Sequence, residues 1–518
     1  MEDGRQRWDV IVIGGALSGA ATACLLLRSN PSRRILILEK CLEHTRRVGE
    51  STVEVSGYFL GRVLGLTEHL LQHHLPKQGM RFWSMNDRTA DIFDCSEIGP
   101  RYNVRLPGFQ VDRAVLDEHI LEKAVASGAE LRRGGRVRSV GLNPGGEQTV
   151  EWEMDGSVQT CRARWVVDAS GFAAVIARQE GWLRSNTEHP TAACWARWTG
   201  VTSWESRQLA ELQPAWSRRT AGLREVATNH LVGYGWWAWW IPLKGGDVSI
   251  GVVYDQRLCK LPPGATLGDR LKAHLSTHPV ARELLASARI QEGDVHYRAN
   301  LAYLSDRHAT DGAVLVGDAS AFIDPFYSPG LDWVAFSVSA AVALIEDASS
   351  GRDVPAAVEI HNDRFSSSYA RWFRAIYKDK YYYMGDHELM KLAFRLDVGL
   401  YYVGQVMHLF RHGAQTLECP AFARPFAGVP AAFMALYNRR MAAIARSRQR
   451  RGAWGSRNFR RFYAFPGYDL NKVILLKLLG AVWTWLCLEI REGWRTPFNR
   501  PEQPIPARTP AQAVIGST

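Results

Sequence analysis

The stretch Trp8-Asp-Val-Ile-Val-Ile13-Gly14-Gly-Ala-Leu-Ser-Gly19-Ala-Ala-Thr-Ala-Cys-Leu-Leu-Leu27 decides the fold. Its apolar first half, closed by glycines, reads as a buried strand, and its small-residue second half reads as a helix packed closely on that strand. Glycines in the intervening turn let backbone N–H groups at the helix N-terminus approach a pyrophosphate. The spacing is that of a dinucleotide-binding turn, with Ala16 in place of its middle glycine. Arg34-Ile-Leu-Ile-Leu-Glu39 is a second apolar strand ending in an acid twenty residues after Gly19, where a ribose hydroxyl would be bound. Gly14, Ala16, Ser18, Gly19 and Glu39 are therefore candidate cofactor-binding residues in an α/β fold.

A second stretch is more unusual. Gly235-Trp-Trp-Ala-Trp-Trp-Ile-Pro242 holds four tryptophans in five positions. As a strand it puts Trp237, Trp239 and Ile241 on one face and Trp236, Ala238 and Trp240 on the other. Pro242 closes it by removing a ladder donor. On pattern alone, this wall of rings is equally a sandwich-core strand.

The spacing Gly-x-Trp-x-Trp-x-Ile-Pro resembles the signature of flavin-dependent halogenases. In that family the tryptophan wall, here Trp237, Trp239, Ile241 and Pro242, lies between flavin and substrate, so oxidising power generated at the flavin acts on halide. Other segments resemble flavoprotein landmarks in the matching order: Asp112-Arg113, Val166-Val-Asp168-Ala-Ser-Gly171 and Ala313-Val-Leu-Val-Gly317-Asp318. Val48-Gly-Glu50-Ser51-Thr52 is similar to the family's Gly-Glu-x-Thr loop, with Glu54 where a proline is usual. The resemblance implies FAD held through Glu50, Ser51, Arg113, Asp168, Gly317, Asp318 and Gly330 as well. Lys77, 27 positions after Glu50, falls at the place of the lysine that captures hypohalous acid, by hydrogen bonding or as a chloramine. Asp324, in Asp324-Pro-Phe-Tyr-Ser328-Pro-Gly330, falls at the place of the family's second catalytic group, a carboxylate that accepts a hydrogen bond as a general base does and polarises the hypohalite against the lysine. Ser328, Gly330 and Leu331 are the implied halide ligands. Pro329 departs from the pattern, because proline has no N–H to offer an anion.

The resemblance thus implies a halogenase that uses reduced FAD, dioxygen and chloride or bromide on an electron-rich aromatic small molecule, free or on a carrier protein. No second dinucleotide-binding glycine motif appears, which fits a separate flavin reductase. Pro329 and Glu54 keep open a monooxygenase of the same fold acting directly on its substrate without halide. A flavoprotein docking to a membrane or a carrier is a third reading.

Its 518 residues suit an interleaved two-domain flavoprotein as well as three average domains. The expected organisation is an FAD-binding Rossmann-like module over 1–345, interrupted by a strand-rich substrate insertion at about 181–300. A helical region over 346–496 and a flexible tail at 497–518 follow. The eight cysteines show no C-x-x-C pair, so neither a metal site nor a disulfide framework is expected and a reducing cytoplasm fits. The first twenty residues lack signal-peptide form. Net charge is +11, and nine arginines with no acid fall between 439 and 461. They suggest either a solvated helix face or a patch for an acidic partner. Nucleic acid is not expected, since no reading module accompanies them. The apolar run 473–488 carries Lys477 and is short for a membrane span. A core helix is preferred over peripheral membrane contact.

Overall fold

Strand Arg7–Ile13 lies at the centre of five parallel strands ordered Ala313–Leu315, Ser157–Asp168, Arg7–Ile13, Ile35–Glu39 and Glu130–Arg133. This computed structural model describes residues 7–496 apart from 107 and 221. The expected flexible tail at 497–518 lies outside the described residues. An antiparallel pair, Arg136–Gly141 and Gln148–Met154, extends the sheet. The order is that of the doubly wound dinucleotide fold, in which ligands sit outside the carboxyl ends of the strands.

The opening turn folds as its glycines require. Gly14 has φ +99°, and a Cβ there would sit 2.6 Å from the carbonyl oxygen of Ala169. At Gly19 a Cβ would lie 1.9 Å from the Gly14 oxygen, so helix Leu17–Ser29 can seat against the turn only with glycine at that position.

A second sheet of eight strands stands beside the first. Its order is Arg289–Ala299, Thr191–Thr199, Val248–Asp255, Trp236–Pro242, Thr228–Gly233, Met80–Ser84, Ser96–Gly99 and Phe462–Ala464. The sheet therefore draws strands from three separate parts of the chain. Strand Trp236–Pro242 is central in it, between 228–233 and 248–255, and every residue before Pro242 is buried. Its alternation divides two cores. Trp237, Trp239 and Ile241 join the core shared with the nucleotide-binding module and the C-terminal helices. Trp236, Ala238 and Trp240 join a separate core with Trp83, Trp198 and Trp204.

Beyond residue 346 the chain is mainly helical. Here the structure corrects two expectations. The arginines of 439–461 are not a free basic surface, because the principal ones are drawn into ion pairs with acids from other helices. Arg440 is buried against Glu489 (2.7 Å) and the carbonyls of Gly493 and Thr496. Arg448 is buried among Asp386 (2.9 Å), Glu388 and Glu492 (2.7 Å). Arg457 pairs with Glu388, and Arg460 with Asp94. Apolar run 473–488 is not a core helix either. It belongs to a longer helix, Val473–Glu492, which buries Ile474, Leu478, Ala481, Trp485 and Leu488 and leaves its other side open.

Candidate active site

At the carboxyl ends of the parallel strands lies a cavity of about 1070 Å³. Among the residues singled out from the sequence, Gly14, Ala16, Ser18, Glu39, Glu50, Ser51, Arg113, Asp318, Ser328, Gly330 and Leu331 line it, together with Trp237, Trp239 and Ile241. Gly19, Asp168, Gly317 and Pro242 are not in its lining. Asp168 is buried and accepts the N–H groups of Ser170 (3.0 Å) and Ile176 (2.8 Å), so it holds the adjoining turn. Gly317 packs against Ser18 and donates its N–H to Ser337 Oγ (2.8 Å). Pro242 ends the strand opposite Val248.

Two helix N-termini face this cavity. Helix Leu17–Ser29 begins at Ala16 with no side-chain cap, and helix Gly330–Ser349 begins at Pro329, also uncapped. The first amides of a helix have no intrahelical partner and carry the positive end of its dipole, so each end is prepared for an anion. Glu39 accepts Gly15 N–H (2.7 Å) and Cys41 N–H (2.8 Å), one on each oxygen, which leaves further lone pairs for ribose hydroxyls. Burial pushes the Asp318 carboxyl up to about 6, against the pull of Arg113 and Arg298. Arg113 is itself held by a double contact to Asp117 (2.9 and 3.1 Å). Glu50 is raised by burial too, opposed by Ser249 and by Arg197, which bridges Glu50 (2.7 Å) and Asp112 (2.8 Å). An uncapped helix for a pyrophosphate, an acid for a ribose and a cavity of about 1070 Å³ fit FAD.

The loop before helix Gly330–Ser349 is strained. Tyr327 (φ +70°) and Ser328 (φ +59°) are consecutive left-handed residues with side chains, a conformation that costs energy and persists only when its surroundings enforce it. Tyr327 is anchored by its hydroxyl, which donates to Asp397 (3.0 Å); Asp397 in turn accepts from Lys380 (2.6 Å) and Tyr437 (2.5 Å). Ser328 N–H donates to the Pro325 carbonyl (3.0 Å) and Pro329 has none. Among the described residues, the backbone donors left at this helix end are Gly330, Leu331 and Asp332, since the first intrahelical bond runs from Trp333 to the Pro329 carbonyl (2.9 Å).

Lys77 and Asp324 lie just behind the cavity wall, not in its lining. Lys77 closes the short strand Leu75–Lys77, and its ammonium donates to Ser51 Oγ and the Thr52 carbonyl, both 2.9 Å. Burial lowers its pKa to about 8, although Glu54 and Asp332 pull the other way. Asp324 is also buried; its Oδ2 meets His189 Nε2 (2.7 Å) and the Tyr381 hydroxyl (2.8 Å), and its Oδ1 accepts Phe326 N–H (2.9 Å). No hydrogen bond or ion pair joins Lys77 to Asp324 among the described residues. They are connected through rings. His230, kept neutral by burial and the Lys77 charge, packs against Trp237 (5.6 Å) and Phe326 (5.9 Å). Trp237 Nε1 then donates to the Tyr381 hydroxyl (3.0 Å) that holds Asp324.

Sequence reasoning missed His189, His230, Tyr381 and Asp332. His189 stands 135 residues from Asp324, and Tyr381 stands 57 residues beyond it, so no spacing could mark them. Asp332, whose carboxyl burial raises to about 7, accepts Ser56 N–H (2.9 Å) and the Tyr401 hydroxyl (3.1 Å). Its only signal was its place beside the Ser328–Gly330 loop.

Residues 101–384, more than half of the chain, match the family described as tryptophan halogenase. The flavin-dependent halogenase chlA of Dictyostelium discoideum is 29% identical over 65% of this chain and 60% of its own length. A tryptophan 2-halogenase of Chondromyces crocatus is 25% identical over 70% and 66%. The chain spans less than two thirds of the length of these relatives. Among solved structures, halogenase PltM in complex with phloroglucinol and FAD superposes with a TM-score of 0.71 at 18% identity, covering 93% of this chain and 96% of that one. The flavin-dependent brominase Bmp2 gives 0.60 at 21%, covering 84% and 100%.

Proposed function

The chain belongs to the tryptophan halogenase family, and from that membership we propose that it halogenates an electron-rich aromatic small molecule, free or on a carrier protein. FAD, when bound and reduced, supplies the chemistry that converts halide and dioxygen to hypohalous acid. Its pyrophosphate would be held at the Leu17–Ser29 helix N-terminus, its ribose by Glu39, and its remainder between Arg113, Asp318 and the Glu50-Ser51 loop. Chloride or bromide would be bound by the Gly330 and Leu331 amides, with the dipole of a 20-residue helix behind them. A separate flavin reductase is the source of reduced cofactor, and the cytoplasm is the compartment.

The observation that carries this reading is Lys77, a fully buried amine placed behind a tryptophan wall. Burial brings it into a range where the free base is populated near neutrality. Both hydrogens of a neutral Lys77 amine would be used by Ser51 and Thr52, which leaves its lone pair to attack the halogen of hypohalous acid; hydroxide leaves and takes one N–H proton as water, giving the haloamine. Halogen then passes to a ring carbon as the Lys77 nitrogen takes a proton from solvent, and the ring proton leaves to Asp324, oriented by His189 and Tyr381, and from there to solvent. Trp237 and Ile241 keep the ring and the cofactor compartment apart.

The test is mass spectrometry of phenols, indoles and pyrroles incubated with the protein, FAD, a flavin reductase, NADH and either halide. A halogen isotope pattern is expected, falling by roughly 10²–10⁴-fold in Lys77→Ala, the range of a lost positioned acid-base group. Undiminished halogenation by Lys77→Ala overturns the role of Lys77. A gain of one oxygen without halogen replaces the reading by direct hydroxylation.

A further inference from the structure

Helix Val473–Glu492 has two apolar sides and uses one of them. Ile474, Leu478, Ala481, Trp485 and Leu488 pack inward, with Leu478 seated on Gly399 of helix His387–Tyr401. On the outward side Leu475, Leu476, Leu479, Trp483, Leu486 and Ile490 are between 41% and 76% exposed. Only 28% of the most apolar 18-residue window is buried. At 1.5 Å per residue the stripe from Leu475 to Ile490 runs about 23 Å, far beyond the scattered apolar residues of an ordinary surface. Phe426 (90%) and Val429 (74%) are also exposed, at the start of helix Gly428–Arg450, whose Phe433 ring meets Trp485 at 5.7 Å.

We propose that this face is a monotopic docking surface for an anionic lipid bilayer, lying flat in the headgroup region. Polar groups along it are already satisfied: Thr484 donates to the Gly480 carbonyl (2.7 Å), and Lys477 folds back to the Gly467 carbonyl (2.8 Å). Acids are turned away from it, Glu489 to Arg440 and Glu492 to Arg448. Basic groups stand at both ends, Lys472 before the helix and Arg495 after its apolar run, over the exposed Trp494 ring (4.8 Å), while Arg491 is engaged by Glu388 (2.9 Å) and Glu492 (3.3 Å). Apolar centre, indole at the end and cations at the margins are the arrangement of an interfacial helix on anionic lipid.

Charge argues against a second copy of the chain as occupant. An antiparallel pairing of two such helices would set Lys472 against Arg495, and a parallel one would set each of these cations against its own counterpart. Among the described residues the outward face has no acid to answer Lys472 or Arg495. Phosphate headgroups do. The inward packing on helix His387–Tyr401 holds the segment to the body of the protein, so it lies on the bilayer and does not cross it.

Full-length FAD-loaded protein is sedimented with phosphatidylcholine vesicles, with and without phosphatidylglycerol. Binding is expected at least about tenfold tighter on the anionic vesicles, and lost in Leu479→Glu/Trp483→Glu, with flavin absorbance and melting temperature unchanged. The milder Leu479→Ser/Trp483→Ser variant is expected to lose most of the binding without introducing charge. A fluorophore on Cys487, the exposed cysteine of this face, is expected to shift to the blue on the same vesicles. The proposal is overturned if the parent protein stays in the supernatant or if both variants bind as the parent does. It is equally overturned if light scattering shows a dimer that these substitutions dissolve.

Discussion

Two segments of this chain are apolar far beyond the average, and they end in opposite situations. Strand Trp236–Pro242 is covered on both faces and divides one core from another. Helix Val473–Glu492 is covered on one side, with the other facing outward. The difference lies in what neighbours supply. Indoles need a partner for N–H when buried, and Trp237 and Trp239 find Tyr381 and Ser249. The outward Leu and Ile side chains of the helix ask for nothing but removal from water, which no part of the described chain provides. Apolar sequence therefore marks a surface that must be covered without saying by what.

The comparison can be broken most decisively from the strand. Trp240→Ala, on the face away from the cavity, is expected to cost about 3–5 kcal/mol in denaturant unfolding, because a fully buried indole leaves a cavity. The product is expected to be unchanged wherever the protein remains folded. On the helix, Leu478→Ala, on the inward side, is expected to cost about 2–4 kcal/mol by the same measurement. If both substitutions were silent, the two segments would not be packed as described.

Charge sharpens the contrast between buried site and open helix. Lys77 has a folded pKa of about 8 against an ordinary value of 10.5, so the folded protein binds fewer protons than the unfolded one between those limits. Stability is therefore expected to rise with pH through that window, with the burial penalty fully present below about pH 8. If the free amine takes the halogen, product formation is expected to rise up to about tenfold from pH 7 to pH 9. A falling limb in that range would assign Lys77 the role of a charged donor. The smallest effect belongs to the outward side of the helix: Leu479→Ser, one residue from Leu478, is expected to change stability by less than about 0.5 kcal/mol. A loss as large as that of Leu478→Ala would show that the outward side is covered in solution.

The dinucleotide-binding half was legible because its signals are local. Gly14, Gly19 and Glu39 lie within one strand-turn-helix-strand unit, where backbone sterics leave few alternatives. The alternation of the tryptophan strand was equally readable, since period two follows from strand geometry. The arginine run was misread because its acidic partners, Asp386, Glu388, Glu489 and Glu492, come from other helices. The apolar helix was read as core because hydrophobicity reports the cost of exposure and not the presence of a cover.

By itself the sequence determined the α/β class, the glycine turn after the first strand, the two-faced tryptophan strand and the resemblance carried by short motifs, all products of neighbouring residues and backbone stereochemistry. Only the tertiary structure decided that Asp324 is held by His189 and Tyr381, that Lys77 is deep enough for its amine to titrate near 8, and that Ser328 uses its N–H on Pro325. Those properties depend on which distant side chains exclude water and which donors find acceptors first, and chain folding settles both.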